Sequence, residues 1–475
     1  MNIDLKSIVR ITSDSIVFDW SNPFNKSKNT ESIGTGFFIS DELILTCAHV
    51  VDSASKIYIS IPSLGKTKYE ITLISVCPKL DIALLKTNKY KSSSFIELGN
   101  SDNIKQTDKV YVIGYPLGQE TVKYSSGIVS GLQEYLFQTD ASINSGNSGG
   151  PLIDSNNKVI GINSSKIVSS NENTIEGVGF SIPINLYVYM KDIMLTNKII
   201  RKPVILLEFN NMNQNLWNFS TNSKKKIHYN NKSYDTGYYI KRTFKQNKLI
   251  DVHMGDILLE LDGKKIDNYG EMDSNNITKK INIDNYLIEK NLNDKINMKF
   301  WSVKQKKIIE IDYKLDYIHP IISKYPNVES IEYFVLGGIV IMDLTLDHLA
   351  LFHTQYAYFI HIDEMAFRAK PKVIISSILS SSNIRKDDII NTGDLLFYLN
   401  DIKINTLDDI LNAIDTTFES FNGYAIIKNH TGDTISLNLK DALVETIEMS
   451  KTFNYKWNNR LSKLLFQKYK INNLK

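Results

Sequence analysis

Cysteine is nearly absent: Cys47 and Cys77 are the only two in 475 residues. Two thiols make neither a disulfide framework nor a four-cysteine zinc site, and the low count fits a reducing compartment. Histidine is scarce as well. Of eight, only His49 precedes position 228, so any chemistry in the first 200 residues that needs an imidazole must use it. Charge of one sign is not in excess. The net charge of +3 gives no argument for nucleic acid, and runs such as Lys224-Lys225-Lys226 read as solvated loop. No long apolar run exists. The most apolar stretch, Phe334 to Met342, is far too short to span a bilayer, so no membrane span is expected. The start, Met1-Asn2-Ile3-Asp4-Leu5-Lys6, carries an early acid and opens no apolar run, which does not read as a signal peptide. No Walker-type phosphate loop is found, which argues against ATP-driven work. The expectation is a soluble intracellular, most simply cytoplasmic, protein of two to four domains with no cofactor and no metal.

What is present is a serine among glycines, Gly146-Asn147-Ser148-Gly149-Gly150-Pro151. A serine hydroxyl is a poor nucleophile without a base, and an acyl-transfer site also needs N–H groups aimed at the developing oxyanion. Glycine lets backbone approach a bound carbonyl. The base in range of the argument is His49, in Leu45-Thr46-Cys47-Ala48-His49-Val50-Val51. A carboxylate must orient it. Asp81 heads the apolar run Ile82-Ala83-Leu84-Leu85, where an unpaired acid is costly. Asp140 is the rival, but it lies eight residues before Ser148 and reads as structural. Cys47, beside the histidine in apolar surroundings, reads as a buried small hydrophobe rather than a nucleophile. Gly-x-Ser-x-Gly also fits an α/β-hydrolase elbow, which must feed a helix. Here Leu152-Ile153, a turn at Asp154-Ser155-Asn156-Asn157 and Val159-Ile160-Gly161-Ile162 spell a hairpin instead. The order histidine, acid, serine is that of chymotrypsin-type enzymes.

At these residues the chain resembles the Deg/HtrA-type serine proteases. The ordered matches are Gly34-Thr35-Gly36-Phe37-Phe38-Ile39, Thr46-Cys47-Ala48-His49-Val50, Asp81-Ile82-Ala83-Leu84-Leu85-Lys86, Ile113-Gly114-Tyr115-Pro116-Leu117-Gly118, Ser126-Gly127-Ile128-Val129-Ser130 and Gln138-Thr139-Asp140-Ala141-Ser142-Ile143-Asn144. The resemblance implies a mainly β protein: a chymotrypsin-like double β-barrel followed by two PDZ-like α+β domains. It implies Ser148 as nucleophile, His49 as general base and acid, and Asp81 as the orienting carboxylate. The oxyanion hole is implied at the N–H groups of Gly146 and Ser148, helped by Asn147. The substrate pocket is implied at Ser142, Ile143, Asn163 and Ser164. Trypsin-like relatives carry an aspartate where Ser142 stands, so a preference for small or medium apolar residues is expected here.

Past position 200 a repeat is visible. Gly255-Asp256-Ile257-Leu258-Leu259-Glu260-Leu261-Asp262-Gly263-Lys264-Lys265-Ile266 parallels Gly393-Asp394-Leu395-Leu396-Phe397-Tyr398-Leu399-Asn400-Asp401-Ile402-Lys403-Ile404. Strands joined by a tight turn explain it. The pattern looks like a PDZ strand, and Gly237-Tyr238-Tyr239-Ile240 resembles the carboxylate-binding loop and following strand, a peptide-binding role by strand addition. The second copy diverges, with a long insertion between Phe334–Val340 and Val373. The expected division is 1–198 protease, 203–316 first PDZ-like domain, 328–450 second, and a helical tail over 451–475, where Trp457 to Phe466 has helical apolar spacing. Phe18, Trp20 and Phe24 pack on the barrel in the plain reading; in the resemblance they build a trimer. Polypeptide substrates and a homo-oligomer, a trimer or multiple of it, are thus implied. The function expected is ATP-independent serine endopeptidase action on unfolded or misfolded polypeptides, with a peptide-binding holdase or scaffold of little proteolytic activity as the alternative.

Overall fold

The structure, a computed structural model, describes residues 3–25, 29–165, 178–244, 248–274, 280–316, 321–352 and 365–471. The chain forms two compact units: Met1–Ser15 with Asn29–Ile318, and Ile16–Lys28 with His319–Lys475. Each is taken by itself.

The first unit opens with two closed antiparallel barrels of six strands, as a chymotrypsin-like fold requires. In the first, β1 (Ile8–Ile16), β2 (Asn29–Phe38), β3 (Leu43–Cys47), β4 (Ala54–Ser60), β5 (Lys68–Cys77) and β6 (Ile82–Thr87) run in the order β1-β2-β3-β6-β5-β4. The second holds β7 (Lys109–Gly114), β8 (Lys123–Gln133), β9 (Leu136–Thr139), β10 (Pro151–Asp154), β11 (Val159–Ser164) and β12 (Gly179–Pro183), ordered β10-β11-β12-β9-β8-β7. Closure removes free edges and packs side chains inward. Ile82 to Leu85 are all fully buried, which is why β6 reads as a continuous apolar run rather than an alternating one. The hairpin β10–β11 follows the serine loop directly, Pro151 pairing with Ile162, so no helix leaves that loop.

A six-strand antiparallel sheet completes this unit, in the order Leu207–Asn210, Tyr238–Thr243, Ile257–Leu261, Lys295–Ser302, Lys307–Lys314, with the short strand Lys264–Lys265 paired to Ile257–Leu261 off that path. One face carries the helix Ile283–Ile288, begun by Asn282 accepting the Asn285 N–H, and closes a core that includes Leu258, Met298 and Phe300. The other face is covered by the helix Gln214–Thr221 and a hairpin, through Trp217, Ile227 and Tyr234.

The second unit is built on a sheet ordered Tyr333–Leu336, Ile339–Asp343, Val373–Ile378, Leu395–Leu399, Tyr424–Asn429, Thr434–Asn438. Its helix Leu407–Thr417 starts from a capping box between Thr406 and Asp409. The sequence repeat is a structural repeat. In each copy a glycine with φ near +95° (Gly255) or +94° (Gly393) swings the chain into an aspartate that caps the turn. Each strand then turns on two residues of positive φ, Asp262-Gly263 or Asn400-Asp401. The return strands close with matching bonds, Ile266 N–H to Leu259 O and Ile404 N–H to Phe397 O.

Three expectations need correction. Gly237 to Ile240 does not offer a sheet edge. Tyr238 and Tyr239 pair with Leu258 and Ile257 on one side, while Tyr239 and Ile240 pair with Asn210 and Phe209 on the other. Among the described residues the strands at the two ends of that sheet are Leu207–Asn210 and Lys307–Lys314, each paired on one side only. Phe18, Trp20 and Phe24 do not pack on a barrel. They belong to the second unit, where Phe24 meets Tyr333 and Tyr455, Trp20 stands edge-on to His348, and Ser376 donates to Ser21 O. The boundary at 450/451 falls inside the helix Leu439–Phe453. The last helix, Arg460–Lys468, buries Leu461 and Leu465 in the same core, so the tail is part of the domain.

Candidate active site

β3 ends at Cys47, and the next three residues, Ala48–Val50, turn in a single 3-10 loop that presents His49. Asp81 closes the turn Pro78–Leu80 at φ +56°, a left-handed conformation that aspartate tolerates, and so points back at that loop. Its Oδ2 lies 2.7 Å from His49 Nδ1 and its Oδ1 accepts the His49 backbone N–H at 2.9 Å. Ser164, at the end of β11, donates to Oδ2 at 3.0 Å. Burial raises the Asp81 carboxyl, but the bonds from the His49 ring and backbone and from Ser164 outweigh it, so its pKa is lowered and it stays ionised. Asp140, the rival acid, instead accepts the Ile128 N–H at 2.7 Å.

Ser148 is buried in a loop that only glycine can build. Gly149 has φ +84°, and a Cβ there would fall 2.1 Å from Thr46 Oγ1 and 2.2 Å from Thr35 O. Gly146 has φ +95°, and its Cβ would meet Tyr115 O at 2.3 Å. Among the described residues neither the Gly146 nor the Ser148 N–H donates to a protein acceptor. Two unpaired donors beside a buried hydroxyl are what a forming oxyanion needs. Asn147 does not add a third from its backbone, because its N–H is bonded to Asn144 O at 2.9 Å; its side-chain Oδ1 is buried with no hydrogen bond.

The Ser148 hydroxyl is engaged with Ser165. The two Oγ atoms lie 2.6 Å apart and the Ser165 N–H donates to Ser148 Oγ at 3.0 Å. Adjacent serines thus reach both ends of the constellation, Ser164 the carboxylate and Ser165 the nucleophile. Nothing local in the sequence marks Ser165; it is found only because β11 ends between Asp81 and Ser148.

The four pocket residues separate. Ser142 is exposed, with its carbonyl accepting from Ser125, and Ile143 is nearly buried. Asn163 is fully buried and braces the loop from behind: its O accepts the Gly149 N–H, its N–H donates to Gly150 O, and its side-chain amide donates to Pro151 O. It lines no open pocket, and Ser164 faces Asp81 rather than substrate. Cys47 is fully buried, and burial, then the Asp81 charge, push its thiol well above the ordinary range. Its Sγ donates to Asn163 O at 3.2 Å. Although Cys47, His49 and Asp81 bring potential ligand atoms within 4.8 Å of one another, a thiol held protonated is a poor metal ligand.

Residues 34–162 match the trypsin-like peptidase domain family. The chain is 26% identical over 440 residues to the putative mitochondrial protease Do-like 3 of Arabidopsis thaliana, covering 87% of this chain and 73% of that protein. It is 36% identical over 177 residues to the magnetosome formation protease MamE of Paramagnetospirillum magneticum, covering 35% of this chain but only 24% of that protein. Against the serine protease Do-like HtrA of Bacillus subtilis it is 29% identical over 281 residues, covering 55% of this chain and 61% of that one. Among solved structures, a substituted form of the HtrA-type protease AlgW with a decapeptide aligns with TM-score 0.50 at 20% identity, over 65% of this chain and 94% of that one, a likeness of fold. The chain thus carries a match to the trypsin-like peptidase domain and is similar over most of its length to a Do-like protease.

Proposed function

We propose that the chain is an ATP-independent serine endopeptidase acting on unfolded or misfolded polypeptides through an acyl-enzyme. The observation that carries this is the short bond between His49 Nδ1 and ionised Asp81, beside a buried Ser148 flanked by two unpaired N–H groups. His49 takes the Ser148 proton as the hydroxyl attacks a peptide carbonyl, the N–H groups of Gly146 and Ser148 hold the oxyanion, and His49 then protonates the leaving amine. Water repeats the sequence on the acyl-enzyme. For attack, the Ser148 hydroxyl must rotate from Ser165 to His49.

Ser142 and Ile143 place no acid on the pocket segment, so cuts should follow small or medium apolar residues. A peptide-library digest reads this directly, and cuts mainly after Lys or Arg would refute it. Strand addition of a bound peptide belongs at an open edge, Leu207–Asn210 or Lys307–Lys314, rather than at Gly237–Ile240. In the second unit the strand Ile339–Asp343 is already paired on both sides, by Tyr333–Leu336 and Val373–Ile378, which argues against peptide capture there. The aromatics assigned to a trimer contact are occupied within the chain's own second unit, so a homo-oligomer rests on the resemblance alone. Among the described residues no helix is long and apolar enough to cross a membrane.

The holdase reading keeps one observation in its favour, the hydrogen bond of Ser148 to Ser165 in place of His49. Casein digestion by the wild type and by Ser148→Ala separates the two, with fluorophosphonate labelling mapped to the modified residue. The endopeptidase reading requires digestion by the wild type alone and the label on Ser148. Equal digestion by both proteins, or none by the wild type together with no label, ends it.

A further inference from the structure

Thr35 lies on β2 in the first barrel, whereas Ser148 belongs to a loop of the second. It is fully buried, and most of its polar groups are committed to the nucleophile loop. Its N–H donates to Ser148 O at 2.9 Å. Its hydroxyl donates to Gly146 O at 2.6 Å and accepts the Tyr115 N–H at 3.0 Å. Its own carbonyl accepts the Thr46 hydroxyl at 2.8 Å. Thr35 therefore holds the carbonyls on both sides of Asn147-Ser148.

We propose that Thr35 is a positioning residue for acyl transfer, its hydroxyl fixing the peptide that joins the two oxyanion donors. This rests on the serine endopeptidase reading. The peptide between Gly146 and Asn147 is planar, so its carbonyl and its N–H turn together. The carbonyl is held by Thr35 and the N–H by Asn144 O at 2.9 Å. One donor, the Gly146 N–H, sits immediately before this peptide, and the other, the Ser148 N–H, immediately after Asn147. Glycine at 146 has no side chain to resist rotation, so an unanchored peptide there can swing the donors out of convergence. The anchor has to come from outside the loop, and Thr35 supplies it from the neighbouring barrel. Removing the hydroxyl also strips a partner from two buried backbone groups, Gly146 O and the Tyr115 N–H.

A mere packing role makes the opposite prediction, and two variants separate them. Thr35→Val keeps the shape and both branches but loses the hydroxyl. Thr35→Ser keeps the hydroxyl and loses the methyl, which packs beside Gly150. The experiment measures kcat and KM on one peptide substrate, the melting temperature and the fluorophosphonate rate for wild type, both variants and Thr35→Cys, whose thiol is a weak donor. Positioning predicts a kcat loss of about a hundredfold for Thr35→Val, the scale of one oxyanion donor, with KM little changed. Thr35→Ser stays close to wild type. If Thr35→Val does not fold, Thr35→Cys takes its place against Thr35→Ser, with the same direction expected. Full kcat in Thr35→Val or in a folded Thr35→Cys, or a loss in Thr35→Ser as large as theirs, overturns the proposal. A wild type that neither cleaves nor labels removes the endopeptidase reading itself, which the wild-type arm reveals before any variant is compared.

Discussion

Replacing Asp81 by asparagine lowers kcat by about ten-thousandfold and leaves the fold and KM nearly unchanged, the magnitude known for the same carboxylate-to-amide change in a Ser-His-Asp protease. The backbone makes this variant unusually clean. Asp81 sits at φ +56°, which asparagine adopts as readily as aspartate, so no strain is added. What changes is the pattern of donors and acceptors. Asp81 receives three donors, the His49 backbone N–H, the His49 ring and the Ser164 hydroxyl. A carboxylate is acceptor-only and meets all three; an amide has one oxygen and an NH2 group. If the NH2 faces the ring, Nδ1 must become the acceptor, the ring proton moves to Nε2, and His49 loses the lone pair it needs for the Ser148 proton. If the NH2 faces the His49 backbone instead, two N–H groups meet head-on. The first orientation removes the base, and the second keeps it only by setting two buried donors against each other. Steady-state kinetics with a melting curve test this, and Asp140→Asn is the control. Asp140 holds the Ile128 N–H, so its variant should keep near-wild-type kcat. An Asp81→Asn enzyme within about tenfold of wild type would remove Asp81 from the orienting role.

The difference between Asp81 and Asp140 also shows where the sequence was legible. Glycines at 146 and 149 are dictated by clashes a few ångströms away, so the loop announces itself in its own letters. The continuous apolar run of β6 likewise records its burial directly. The repeat around Asp256 and Asp394 is readable for the same reason, since a glycine of positive φ and a turn aspartate are local needs. Other features depend on partners far along the chain. Whether Gly237–Ile240 is an edge or an interior strand is decided by Leu207–Asn210 pairing beside it, which no pattern within the quartet encodes. Phe18, Trp20 and Phe24 show apolar character but not their address, more than 300 residues away. Asn163 and Ser164 were legible as neighbours of the site. Their division into a loop brace and a carboxylate partner depends on which way β11 presents each side chain.

That distant address has a consequence for pH. The second unit loses stability as pH falls below about 6.5, and His348→Gln removes most of that loss. His348 is fully buried beneath Trp20, ring centroids 5.1 Å apart. Its Nδ1 faces the Thr345 hydroxyl and N–H, and its Nε2 is buried with no hydrogen bond. Burial drives its pKa down to about 3, with only the Trp20 backbone acting the other way. A folded-state pKa below the unfolded value means that the unfolded chain binds the extra proton. The neutral ring's contribution is therefore complete above the unfolded pKa near 6.5 and is lost progressively as pH falls toward 3, by up to about 1.4 kcal/mol per pH unit. Asp343, in the same sheet, is raised chiefly by its own burial and titrates with the opposite sign, favouring the folded state at low pH. His348→Gln leaves that carboxyl in place, so the difference between wild type and variant reads the histidine alone. Hydrogen exchange at pH 7 and pH 5, corrected for intrinsic rates, resolves the units separately. Amides of Leu346–Phe352 and Ile339–Asp343 should lose protection at pH 5, while those of Ile257–Leu261 in the first unit serve as the internal reference. In His348→Gln the two units should respond alike. A wild-type second unit whose protection is unchanged between the two pH values would mean that His348 binds its proton equally well in the folded and open states, and the linkage would be refuted.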